Sequence, residues 1–142
     1  MRNVVKVASI MVPITGLIQL VLGLLFWVGS VQALIPLHMQ LGLLFVLSTW
    51  VIAGASIRAR VSAPVAGFTL VWGVIVIALG MTQAQIFPGP YHWIVRVAHL
   101  AVGIVAMALA GRLTRELRQQ WAGVGEKSRI PGTRDVHPKV TP

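Results

Sequence analysis

Up to residue 113 the chain is almost wholly four apolar runs, 7–28, 34–57, 63–82 and 91–113, joined by short connections. Each run is close to the ~20 residues that an α-helix needs to cross a hydrocarbon core, so the sequence predicts an all-α integral membrane four-helix bundle. A composition of 56% hydrophobic and 11% charged residues excludes an ordinary water-soluble domain of 142 residues. The connections 29–33, 58–62 and 83–90 are short enough that consecutive helices must run antiparallel.

Charge is distributed as unevenly as hydropathy. Twelve Lys and Arg face three acids, Glu116, Glu126 and Asp135, and no carboxylate precedes residue 116. That excludes paired-carboxylate catalysis, carboxylate metal cages and the intramembrane acid that proton-coupled carriers use. The absence of cysteine excludes disulfides, zinc–thiolate sites, iron–sulfur clusters and covalently attached haem. The net charge of +9 lies beside membrane segments and largely in a hydrophilic tail, which points to an anionic lipid surface and not to nucleic acid.

Arg2, Lys6, Arg58, Arg60 and the basic run from Arg112 fall at one end of the bundle, while the first and third connections carry no charge. The positive-inside rule then predicts a multi-pass protein of the inner (plasma) membrane with both termini cytoplasmic. Trp27, Tyr91 and Trp93 gather at the uncharged end, where amphipathic rings favour the headgroup layer, and Trp121 follows the last helix. Trp50 and Trp72 lie deeper, as packing residues. The N-terminus resembles a signal peptide ending at Val31-Gln32-Ala33, but its apolar run is too long for one and reads as a retained first helix, kinked at Pro13. Residues 1–113 form the helical domain and 114–142 a basic cytoplasmic tail. The tail extends helix four along the membrane surface to Trp121 and is disordered from 123.

An internal repeat organises the four helices. Gly16 and Gly23 recur as Gly73 and Gly80 at an offset of 57 residues, and His38 with Gly42 recurs as His99 with Gly103 at an offset of 61. The bundle is therefore expected to comprise two parallel two-helix repeats about an axis along the membrane normal, bringing His38 and His99 to equal depth on facing helices. Two inward imidazoles can supply both axial ligands of one haem b iron. Gly42 and Gly103, one turn deeper on the same faces, leave room for the macrocycle, as do the glycines of helices one and three. Taken singly, each glycine also fits simple close packing of helices.

Arg96 stands one turn from His99 towards the outer end, with no carboxylate in any apolar run to pair with it. Haem propionates would serve as its anion, and lipid phosphate is the other partner of that charge. His92 competes with His99 for the second axial position. Counting depth from Arg58 and Arg112 favours His92, whereas the glycine at i+4 and the place within the apolar run favour His99, which is the expected ligand, with His92 at the interface as a headgroup or propionate contact. Gln19, Thr15 and Thr69 are candidates to accept the imidazole N–H that does not face the metal.

With these residues the sequence resembles the small four-helix membrane b-type cytochromes, a class that includes cytochrome b561-like proteins and superoxide oxidase. The resemblance spans residues 7–113. It implies haem b and electron transfer; many members carry two histidine pairs and two haems, whereas the one deep pair here allows one haem near the outer face, suited to exchange with a quinone or a redox protein there or to binding a small ligand. An enzyme of this kind would be a haem-dependent membrane oxidoreductase. The competing expectation is a non-catalytic helical subunit or assembly factor, in which the histidines and glycines pack and the chain joins a second copy or a larger complex.

Overall fold

The computed structural model describes residues 2–29 and 31–127. Four long helices account for most of them: α1 Arg2–Trp27, α2 Ile35–Arg58, α3 Ala63–Thr82 and α4 His92–Lys127, with one 3₁₀ turn, Gln32–Leu34, before α2. All four are long and apolar enough to cross a membrane. α3 has the expected bounds, whereas α1 begins five residues earlier than the apolar run and takes in Arg2 and Lys6. Pro36 and Pro64 sit in the first turns of α2 and α3, where a missing N–H costs no helical bond. Pro13 lies inside α1, which continues through it.

The helices form a ring in which α1 and α3 each pack against both α2 and α4, and α2 and α4 also touch across the middle. Buried positions carry small side chains. Ala8, Ala53, Ala66, Ala106 and Ala110 lie at the contacts, while Val4, Val7, Leu17, Val71 and Val74 point outwards. Close approach of backbones at small residues is how helices associate without a hydrophobic force between them. Buried hydroxyls bond to their own helix one turn back: Thr15 to the Met11 carbonyl, Thr49 to Phe45, Ser56 to Ile52 and Thr69 to Val65. The indoles of Trp50 and Trp72 add ties between helices, donating to the carbonyls of Leu70 (3.1 Å) and Val102 (3.0 Å).

Packing is concentrated at the basic end. Val5, Val12, Val46, Ile52, Leu113 and Leu117 belong to one buried cluster there. At the other end the apolar residues buried are Leu22 and Val95.

The expected boundary at residue 113 falls inside α4, which runs on to Lys127. Its extension is part of the bundle and not a surface appendage: Leu117 is buried, the Ser62 hydroxyl donates to the Glu116 carboxylate, and the Gln120 amide donates to the Ala59 carbonyl. Arg112 donates to the same carboxylate at 2.9 Å. These contacts brace the α2–α3 turn, where Arg60 occupies the left-handed region with φ 55°. The Arg60 and Val61 N–H groups close the helix end on the carbonyls of Ile57 and Ser56, so an arginine fills a position that usually takes glycine. At the same end the Arg2 guanidinium lies 5.7 Å from the Trp121 ring centre. The part of the tail expected to be disordered lies outside the described residues beyond Lys127, and 123–127 continue the helix.

A chain ended at Leu113 should therefore lose cooperative thermal unfolding in detergent, whereas one ended after Lys127 should unfold as the full chain does. Leu117→Ala should destabilise by about 2–5 kcal/mol, as buried leucines do, and a loss within a few tenths of a kcal/mol would show that the extension does not pack.

Candidate functional site

All four helices contribute to one site at the loosely packed end. His38, on the first turns of α2 behind Pro36, and His99, on α4, are neighbours with ring centres 6.4 Å apart and planes tilted by 50°. Phe26, at the end of α1, meets His38 edge-on at 5.3 Å. Gly80 of α3 lies under His99, where a Cβ would stand 3.4 Å from Cε1. Phe26 carried no signal on its own. Its spacing from Gln19 and Gly23, i+7 and i+3, puts all three on one face of α1 and is the pattern that could have revealed it.

Polar atoms at the site lack protein partners. Nδ1 of His38, Nδ1 of His99 and Oε1 of Gln19 are buried without a hydrogen bond. Leaving such a group unpaired in an apolar surround costs about 1–3 kcal/mol. Thr15 and Thr69 have committed their hydroxyl protons to their own helices. All three candidate acceptors keep lone pairs, and Gln19 is the one whose oxygen is buried without any hydrogen bond. Its amide nitrogen lies against Gly42, 2.6 Å from where a Cβ would stand, so Gly42 makes room for Gln19 one turn below His38.

The glycines of the repeat do different work. Gly16 receives Met107, whose sulfur is 2.5 Å from the Cβ position, and Gly73 receives the Trp50 indole. Gly23 and Gly103 face open space. Gly42 and Gly103 thus have different neighbours, an amide at one and open space at the other. At the offset that relates α1 to α3, the counterpart of Gln19 is Val76, which brings no amide against Gly103.

His99, and not His92, is the residue brought to His38. His92 lies at the start of α4 with Nδ1 3.3 Å from the Ile86 carbonyl, bracing the α3–α4 connection, in which Phe87 and Gly89 have positive φ. Arg96 is exposed, a turn from His99 towards the same end, and has no ion pair among the described residues.

The histidine spacing suits a single shared metal ion. Two imidazoles on opposite sides of a metal, with bonds of about 2 Å and ring centres about 1.1 Å beyond each nitrogen, have centres about 6.2 Å apart. Among the described residues no third His, Cys, Asp or Glu joins the pair. A zinc ion, which takes four ligands, is therefore poorly matched, whereas a macrocycle that brings four donors of its own needs two from the protein.

Gly73→Val should overpack against Trp50 and lower stability by about 1–3 kcal/mol, while Gly23→Val should change it little. Equal losses at both positions in thermal denaturation would mean that the two glycines have equivalent surroundings.

Comparison of the chain with protein families, curated proteins and solved structures finds no match.

Proposed function

We propose that this chain is a haem b-binding membrane protein in which His38 and His99 would hold the haem iron and the role is electron transfer near the outer face. The observation that carries the reading is the 6.4 Å separation of the two imidazoles, each with a buried and unpartnered nitrogen. Bound haem would supply one-electron redox chemistry. The chain's own residues do the rest. His38 and His99 supply nitrogen donors, Phe26 and Gly80 flank them and limit their movement, and Gln19 offers an acceptor for an imidazole N–H. Arg96 provides the positive charge that propionates require, in a part of the bundle that contains no acid, since the first carboxylate is Glu116 at the other end. His92 acts on the connection and not on the metal.

In this reading the helices are two parallel two-helix repeats, and the basic end with both termini faces the cytoplasm across the plasma membrane. The redox partner is a quinone or a protein at the outer face, where the histidine end is least packed. The equal spacing of Gly16–Gly23 and Gly73–Gly80 and of the two histidine–glycine pairs supports the repeat. The resemblance to four-helix b-type cytochromes agrees with it.

Expression with abundant haem should give a membrane protein with a Soret band and, on reduction, sharp α and β bands. His38→Ala and His99→Ala should lose haem or give a five-coordinate high-spin spectrum, since each removes one of two axial bonds. His92→Ala should keep the low-spin spectrum, Arg96→Leu should keep it with weaker retention, and Gly80→Leu should reduce haem content by displacing His99. A colourless parent, or histidine variants that bind as the parent does, would leave the non-catalytic subunit as the function.

A further inference from the structure

At the basic end, α1 and α4 enclose a cleft of about 360 Å³, lined among others by Lys6, Ser9, Thr114, Arg118 and Trp121. It is about a membrane thickness from the histidines and takes no part in their chemistry. Two cations enter it, and Arg2 stands just outside against Trp121. Among the described residues neither Lys6 nor Arg118 meets a carboxylate. The ion pair found there, Arg112–Glu116, is directed instead towards Ser62 and the α2–α3 turn. The Ser9 hydroxyl donates to the Val5 carbonyl at 2.7 Å. With the Ser9 proton on Val5, Thr114 is the donor in its one contact, to the Ser9 oxygen at 3.5 Å, a long bond that its O–H can exchange for a ligand oxygen.

We infer that this cleft binds the phosphate of an anionic glycerophospholipid. Lys6 and Arg118 supply positive charge from two helices, and Thr114 supplies a neutral donor between them. Val5 and Ile10 carry the lining on as apolar surface along α1. The Trp121 indole closes the end at the level where tryptophan favours the headgroup boundary. A lipid is the occupant that uses all of these features at once: its phosphate meets the cations and its chains follow the outward-facing valine and isoleucine side chains of α1, which are exposed. Basic pockets between membrane helices recognise anionic headgroups by this combination of charge and apolar wall. The inference rests on the four helices spanning a membrane and is independent of haem.

The test is native mass spectrometry of the full chain, released from detergent containing phosphatidylglycerol and phosphatidylcholine with identical acyl chains. The parent should retain phosphatidylglycerol preferentially. Lys6→Gln with Arg118→Gln should lower that preference roughly ten- to thirty-fold, while Lys6→Arg with Arg118→Lys, and Arg58→Gln with Arg60→Gln at the same end, should keep it. The chain with His38→Ala and His99→Ala should show the parent's preference. Equal loss in the Arg58 and Arg60 variant would overturn the site in favour of diffuse surface charge. Displacement of the lipid by millimolar inorganic phosphate would assign the cleft to the free ion, and tighter lipid binding by a chain ended after Lys127 would assign it to the chain's own tail. Adducts without headgroup preference would defeat the inference alone, and no lipid adduct of either kind would defeat the membrane reading as well.

Discussion

In helical spans that contain no acid before Glu116, each polar group has to be satisfied by backbone, by another neutral side chain, or by something the chain does not supply. That constraint governs the interior. Hydroxyls turn back on their own helices, and the two central indoles donate to carbonyls of the next helix. Once these are accounted for, two imidazole nitrogens and the Gln19 carbonyl oxygen remain, all at one end. Polar atoms buried in an apolar bundle are costly, so their concentration around facing histidines is informative in a way that scattered ones would not be.

Packing and chemistry divide the bundle between its ends. At the basic end small residues bring the backbones together, the core is continuous, and the α2–α3 turn is clamped by Ser62, Glu116 and Gln120. At the other end the interior is made of rings, glycine and a single amide, with Leu22 and Val95 as its buried apolar residues. The basic end is thus the firm base of the bundle, and the histidines stand where its apolar packing is thinnest.

Much of this was legible in the residues, because membrane helices follow from length and apolarity alone. The α3 bounds came directly from the apolar run, since Pro64 marks its start and the polar residues from Thr82 its end. The approach of His38 to His99 followed from the shared glycine at i+4, where depth counting from the arginines pointed to His92. That counting treated Arg112 as the end of the span, although α4 runs for four further turns. The continuation was hidden because Thr114 to Trp121 is polar in composition. What places those residues in the bundle is the i, i+4, i+8 spacing of Leu113, Leu117 and Trp121 on one helix face and contacts with a turn 54 residues earlier. The differing surroundings of the glycines were equally hidden, since a residue without a side chain says nothing about which neighbour fills the space it leaves.

One further consequence lies in α4 itself. Its 36 residues contain no proline and form a single rod about 54 Å long, longer than the hydrocarbon layer is thick. His99 and Arg118 ride on that rod about 28 Å apart, one at each side of the layer. With no hinge between them, rotation or axial sliding of the helix at one surface moves both residues together. The spacing of the two facing imidazoles is thereby tied mechanically to how the far end of α4 is seated, although no side chain touches both.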